Sequence, residues 1–403
     1  MHDLLFLVHR IPFPPNKGDK VRSFHLLRHL AQHYRVWLGT FIDDPDDGRH
    51  VDEVRRFCAD VYCAPLEPRR AKLWSLRGLA TGEPLSLPYY RHAGLQAWID
   101  RVVAEQRIER VLTFSSPMAQ YLRCPPYDRL QRVMDFVDVD SAKWAQYADG
   151  KPWPLSWIYR RESQRLLAFE RAVAQEFAAS VFVTEDEAAL FRRLAPEIPA
   201  ERVLAVSNGV DTDYFNPERE YPNPYSAAEQ VLVFTGAMDY WANVDAVDGF
   251  ARTVFPDIRR AAPDSQFYIV GARPAAAVQD LADLPGVHIT GTVPDVRPYI
   301  AHAAFSVAPL RIARGVQNKV LEAMAMGKAV LATSAAMEGI GASPQGGAEG
   351  ILVADDPVTL AQQALALLAN REETGQRGCG NRAWVLRHYD WDINLSRMAA
   401  VLE

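Results

Sequence analysis

The chain has 403 residues, of which 49% are hydrophobic and 23% charged, with a formal net charge of −6. That length exceeds one ordinary α/β core and predicts two domains, and the composition is that of a globular chain, not a disordered one. The acidic balance argues against wholesale nucleic-acid binding, because a phosphate backbone wants a basic surface.

From the N-terminus, LLFLV (4–8) reads as a buried first strand. It is too short for a signal-peptide core, and no run reaches the roughly 18 apolar residues of a membrane span. A soluble, cytoplasmic protein is expected, free to touch the inner membrane face. The loop RIPFPPNKGD follows, then a helix with Leu26, Leu27, Leu30 and Ala31 on one stripe. Gly18, Asp19, Lys20 and Arg22 put a glycine, a helix N-terminus and two cations where a phosphate or sugar oxygen could bind. An ordinary βα turn capped by Asp19 accounts for them equally well.

Residues 36–41, 111–116, 132–137, 180–184 and 201–211 read as further strands, with a long helix over 156–178. Asp135 and Asp138 close the 132–137 strand, where either could orient or deprotonate a substrate hydroxyl, or cap a helix and pair with Lys143. Asp138-Val139-Asp140 also spells a D-x-D, a pattern in which carboxylates hold magnesium. It lies far from the phosphate-binding stretch described below, and no metal is expected there. The four cysteines, Cys58, Cys63, Cys124 and Cys379, are scattered, which suits free thiols. RRAKLWSLR (69–77), and Trp153, Trp157 and Tyr159 before Arg160-Arg161, read either as solvated helix faces or as contacts to an anionic lipid surface.

The proline-bearing stretch 215–228 is the best linker candidate. Beyond it, 231–237, 267–272, 287–292, 305–310, 329–333 and 350–354 are near-continuous apolar strands of a second parallel sheet. A helical segment over about 381–402 closes the chain. Neither G-x-G-x-x-G after a strand nor G-x-x-x-x-G-K-[ST] occurs, which removes the main support for NAD or P-loop chemistry. The most informative stretch is PLRIARGVQNKVLEAMAMGKAVLA (309–332). A strand end, the cations Arg311 and Arg314, Gly315 and a helix opening at Asn318-Lys319 suit a diphosphate. Glu322, one turn into that helix, could accept hydrogen bonds from ribose hydroxyls. An amphipathic helix with a solvated Lys319–Glu322 pair is the structural alternative.

Ser207-Asn208-Gly209-Val210-Asp211, the glycine-ended strands VLVFTG and FYIVG, Gly291-Thr292-Val293-Pro294-Asp295-Val296 and NKVLEAMAMGKAVLAT occur in the order that resembles glycosyltransferase family 4, the retaining GT-B enzymes. PPNKGDKVRS and VMDFVDVDSAKW resemble, more specifically, the exopolysaccharide sugar transferases associated with exosortase gene clusters. The resemblance implies an α/β, GT-B fold of two Rossmann-like domains facing across a cleft. The acceptor domain would span 1–205, the nucleotide-sugar domain 206–380, and a C-terminal helix in 381–403 would cross back.

It also implies roles. Glu322 would hold the donor ribose, while Gly315, Val316, Asn318 and Lys319 would cradle the diphosphate and sugar. Val293 would line the nucleobase pocket, and Gly18 and Asp19 would face donor phosphate and acceptor. Gly236 belongs to the donor site, and Lys20, Arg22 and Asn208 to the acceptor site. Asp138, Asp135, Lys319 and Arg314 are the catalytic candidates. Two departures from the family pattern stand out. The first glutamate of the paired-glutamate motif is Arg314, and the usual cations after the first C-domain strand are absent from Gly236–Asn243. Arg314, Lys319 or Arg273 would meet the diphosphate charge instead. The expected partners are a nucleotide-sugar donor, a UDP-sugar by family frequency, and a saccharide or lipid-linked acceptor, with no cofactor. An epimerase, a phosphorylase or a non-catalytic binder of the same fold are the alternatives.

Overall fold

Strands that are apolar on both faces need helices on both sides of their sheet, and this chain meets that demand twice. A computed structural model describes residues 1–15, 18–123, 125–227, 229–313, 316–340 and 350–402. The chain divides into two units, Met1–Ser207 with Asn394–Glu403, and Asn208–Ile393.

The first unit carries β1 (His2–Val8), β2 (Tyr34–Ile42), β3 (Asp60–Pro65), β4 (Arg110–Phe114), β5 (Gln131–Val137), β6 (Ala179–Phe182) and β7 (Val203–Ala205). They form one parallel sheet in the order β3-β2-β1-β4-β5-β6-β7. The second carries β8 (Gln230–Thr235), β9 (Ser265–Val270), β10 (Val287–Gly291), β11 (Phe305–Ala308), β12 (Val330–Ala332) and β13 (Ile351–Val353). Their order is β10-β9-β8-β11-β12-β13, again parallel. Each sheet reverses its direction of growth once, between β1 and β4 and between β8 and β11. In open α/β sheets, ligands bind in the crevice outside the carboxyl ends of the strands at such a point.

The helices include α1 (Gly18–His33), α2 (Pro68–Ser75), α3 (Arg77–Thr81), α4 (Asp140–Asp149), α5 (Leu155–Glu176), α6 (Trp241–Thr253), α7 (Asn318–Ala325), α8 (Arg371–His388) and α9 (Trp391–Leu402). Leu4 to Val8 of β1 are all buried, as are Leu26, Leu27 and Leu30, one face of α1. Among the described residues Cys58, Cys63 and Cys379 are free thiols, and no helix is long and apolar enough to cross a membrane.

Three features differ from the sequence reading. β3 escaped it because DVYCAP lies at the sheet edge, where of its six residues Ala64 alone is fully buried, so no apolar run marks it. The stretch 215–228, read as a linker, belongs to the second unit. There Tyr225 is buried edge-on against Tyr268 and donates to Tyr299 O at 2.7 Å. The closing helical segment is two helices, α8 and α9, broken at Tyr389 and Asp390. Val210 N–H donates to Tyr389 O at the break (2.8 Å), and a Cβ on Gly209 would lie 2.7 Å from the Trp391 backbone nitrogen. Glycine is what lets that break approach. The end of α9 groups with the first unit, where Leu402 O accepts from Arg110 Nε (2.8 Å) and Val401 O from Gln131 Nε2 (2.9 Å).

Candidate functional site

In the second unit the strand ends beside the switch point are shaped by backbone contact. β8 and β9 run into Gly236 and Gly271, and a Cβ on Gly271 would fall 1.6 Å from Gly236 O. Only glycine permits this approach. A Cβ on Gly236 would in turn lie 2.8 Å from Asn243 Nδ2, the group that donates to Ala237 O (2.9 Å). Asn243, buried on α6, thereby has its amide N–H₂ occupied and presents Oδ1 to α7. Lys319 Nζ donates to that oxygen at 2.7 Å and stands 5.2 Å from the Phe234 ring centroid. One lysine therefore bridges the helices that follow the two switch-point strands.

α7 starts at Asn318, and no side chain caps its first turn, which suits an anion. Asn318 Oδ1 is buried and accepts no hydrogen bond from the described residues. Val316, just before the helix, packs against the domain core. Glu322 is half-buried with no side-chain partner in hydrogen-bond reach among the described residues. Burial raises its carboxyl to about 7, with Lys319 opposing. Burial likewise lowers Lys319 to about 8, with Glu322 opposing. Both groups sit where water screens them poorly, so a ligand charge or hydroxyl brought there would interact strongly.

An Arg–Tyr cluster that sequence reasoning missed lies within electrostatic reach of Glu322 through Tyr214. The Arg297 guanidinium lies 3.8 Å from the Tyr214 ring centroid and 5.5 Å from that of Tyr221. Asp295 holds it through both carboxylate oxygens. Burial, then Asp295, raises the Tyr214 phenol, and Glu322 adds to the shift. Val293, in the same loop after β10, packs against the small apolar cluster of Tyr225, Val231, Val233 and Val270. Arg273, a candidate for the diphosphate charge, adopts φ +52° and pairs with Asp239 at 2.9 Å on the surface. Arg311 pairs with Asp245. Arg314 and Gly315 lie outside the described residues.

The first unit gathers polar side chains at the carboxyl ends of β1 and β2. His9 Nε2 is 3.3 Å from Asp19 Oδ2, and Arg10 donates to Asp19 (2.7 Å) and Asp43 (2.9 Å). Burial alone would raise the Asp19 carboxyl, but His9 and Arg10 hold it well below the usual carboxylate range. The His9 ring stacks on Phe114 at the end of β4, and its buried Nδ1 has no partner. His9, Arg10 and Asp43 went unnoticed in the sequence, although each directly follows a strand. Gly18 opens α1 with nothing within 4 Å of where a Cβ would sit, so no packing contact demands glycine there. Two residues without glycine's freedom, Ser115 (φ 73°) and Val137 (φ 72°), take left-handed backbone at the ends of β4 and β5. Such strain often marks functional rims.

Lys20 and Arg22, expected among the acceptor contacts, are turned into the domain interior instead. Lys20 is 1% exposed and donates to Asp47 at 2.5 Å. Arg22 is 0% exposed, with Nε on Asp135 Oδ2 and Nη1 on Val206 O, both at 2.9 Å. Asp135 is equally buried, and its other oxygen accepts from Val137 N–H (3.2 Å), so it does not meet a substrate. These three are charges held inside the domain. Asn208 is buried as well. Asp138 differs, because its Oδ2 takes the Lys143 ammonium at 2.6 Å while its Oδ1 accepts nothing from the described residues. Lys143 also reaches Asp140 at 3.3 Å, so an ammonium already occupies the D-x-D carboxylates.

Residues 229–370, all within the second unit, match the family model of glycosyl transferases group 1. Solved structures of the same architecture cover the whole chain. Sucrose-phosphate synthase from Thermosynechococcus elongatus matches 100% of this chain and 98% of its own, with a TM-score of 0.71 at 16% identity. HepE of Anabaena, solved with UDP, matches 100% and 99% with a TM-score of 0.68 at 14% identity. A glycosyltransferase from Rickettsia africae matches 100% and 97% with a TM-score of 0.65 at 11% identity. No curated protein sequence matches the chain. The fold is GT-B, with two Rossmann-like domains.

Proposed function

We propose that this protein is a retaining glycosyltransferase that moves a hexosyl group from a UDP-sugar to a saccharide or lipid-linked acceptor, in the cytoplasm, for exopolysaccharide synthesis. The observation that carries the reading is the Lys319–Asn243 bridge beside Glu322, at the switch point of a sheet within a group 1 domain. HepE, a protein of the same fold, has been solved with UDP-glucose, which supports the choice of base.

In this reading Glu322 accepts the ribose hydroxyls, and Asn318 Oδ1 accepts from a donor hydroxyl. Lys319 and the N–H groups opening α7 meet the diphosphate, with Gly236 leaving room and Val293 beside the base. By the resemblance Arg314, Gly315 and Val316 complete the cradle, and Arg273 would leave Asp239 to join them. The acceptor hydroxyl oxygen attacks the anomeric carbon as the bond to the β-phosphate oxygen breaks. Its proton passes to the departing diphosphate, so the new bond forms on the face the leaving group quits. The protein's share is positioning and charge stabilisation of that leaving group. On the acceptor side, Asp138 and the His9–Asp19 pair are the hydroxyl-handling groups. No cofactor or metal enters the scheme.

Thermal unfolding with UDP, GDP, TDP, ADP and NAD, each in excess, tests the reading. A nucleotide at about 100 times its Kd stabilises the fold by about 2.7 kcal/mol. A shift with UDP that NAD does not reproduce is expected. Equal, flat traces with all five would leave the fold without a donor site and overturn the proposal.

A further inference from the structure

Independently of the donor site, the first unit concentrates its exposed apolar side chains in two segments. Apart from Met1, every large hydrophobic that it exposes among the described residues lies on α2–α3 or between the end of α4 and the start of α5. The first set is Leu73, Trp74, Leu76 and Leu79, with Leu73 70% exposed; the second includes Trp153, 81% exposed, and Trp157. The two are neighbours. Arg161, one turn beyond Trp157 on α5, donates to Gly78 O and Glu83 O, and Glu162 accepts from Leu85 N–H (2.6 Å) and Ser86 N–H (3.1 Å).

Charge follows the same segments. Residues 68–82 and 150–161 together hold seven Lys and Arg and no Asp or Glu, in a chain whose net charge is −6. Arg69, Arg70, Lys72, Arg77, Lys151 and Arg160 are exposed. Glu67 and Asp149, which pair with Arg70 and Arg160, lie just outside these segments. A cavity of about 800 Å³ opens beside α2 and α3, where Trp74 and Tyr89 share its wall with Arg70, Arg77 and the carboxylates of Glu67 and Glu83. Tryptophans and leucines set among cations are the composition of a surface that lies in the headgroup layer, with rings and leucines reaching the acyl boundary.

We propose that this face docks on an anionic lipid bilayer. The apolar side chains of α2, α3 and the α4–α5 turn enter the interface, and the arginines and lysines meet the headgroup phosphates.

The test is co-sedimentation of the full chain with phosphatidylcholine vesicles and with mixed phosphatidylcholine–phosphatidylglycerol vesicles, at low and high salt. Binding to the mixed vesicles that weakens with salt is expected. Two exposed double variants, Arg69→Glu with Lys72→Glu and Leu73→Ser with Leu76→Ser, should each weaken it by about ten-fold or more while leaving the circular-dichroism melt unchanged. The UDP-dependent melting shift should survive in both, which separates this surface from the donor site. No binding by the wild type, equal binding to neutral vesicles, or full binding by both variants would overturn the proposal. So would a dimer in lipid-free buffer that the leucine variant converts to monomer, since the face would then join two copies of the chain.

Discussion

Lys319 Nζ donates to Asn243 Oδ1 at 2.7 Å, and this bond ties the helix after β11 to the helix after β8. Asn243 holds still because its amide also donates to Ala237 O, in the turn opened by Gly236. A cation is thus held at the switch point by a neutral oxygen, its charge left available to an anion. Replacing Lys319 by Met should weaken UDP binding by about 1.5–3 kcal/mol, the range for a hydrogen bond to a charged group. Asn243→Ala should lose less, through misplacement of the ammonium. Calorimetric titration checks both, and wild-type affinity in Lys319→Met would remove the lysine from the donor site.

Glu322→Ala should abolish nucleotide binding while the protein stays folded, because its carboxylate makes no side-chain bond that the fold depends on. With its carboxyl raised to about 7, the accepting carboxylate forms as pH rises through neutrality. Donor affinity should rise between pH 6 and pH 8 in the wild type more than in Glu322→Gln, an effect expected to be a few-fold. Parallel pH profiles for the two proteins would mean that the carboxylate does not touch the ligand.

The Arg22–Asp135 pair is fully buried, so removing one partner strands the other's charge. Arg22→Met should cost about 3–5 kcal/mol in urea unfolding, and Arg22→Met combined with Asp135→Leu clearly less than the sum of the singles. Additive losses would show that the two charges do not depend on each other.

Glu170, buried on α5, accepts from Ser141 Oγ (2.5 Å) and Ser141 N–H (3.2 Å), and burial raises its carboxyl to about 8. A folded-state value above the ordinary 4.5 means that its contribution is fully present below about pH 4.5 and is lost as pH rises through about 8. Glu170→Gln, which mimics the protonated acid, should therefore melt close to the wild type at pH 5 and above it at pH 9. A variant that melts lower at both would contradict the raised value.

Much of the donor half was legible without coordinates. Unbroken apolar runs mark β8, β9 and β11 because a strand buried on both faces has no polar residue to spare. Gly236 and Gly271 stood out at the strand ends, and the structure gives their reason, a backbone approach that no Cβ allows. β3 stayed hidden because an edge strand needs no such run. Asn243 stayed hidden too, since nothing in Trp241-Ala242-Asn243 announces that its side chain faces α7. The Arg297 cluster joins residues from 214, 221 and 295, a grouping that spacing along the chain cannot reveal.

By itself, the sequence determined the two parallel α/β halves, their glycine-ended strands and the helix opening that carries Asn318, Lys319 and Glu322. These rest on local periodicity and on backbone requirements that each residue carries with it. Only the tertiary structure decided where the charges of the first loop and helix go. Lys20 finds Asp47, 27 positions away, and Arg22 finds Asp135, 113 positions away, so both become interior ion pairs. Asp19, one residue from Lys20, stays partly exposed between His9 and Arg10. A charge inside a protein is stable only beside its partner, and which distant residue becomes that partner is settled when the strands pair and the helices pack.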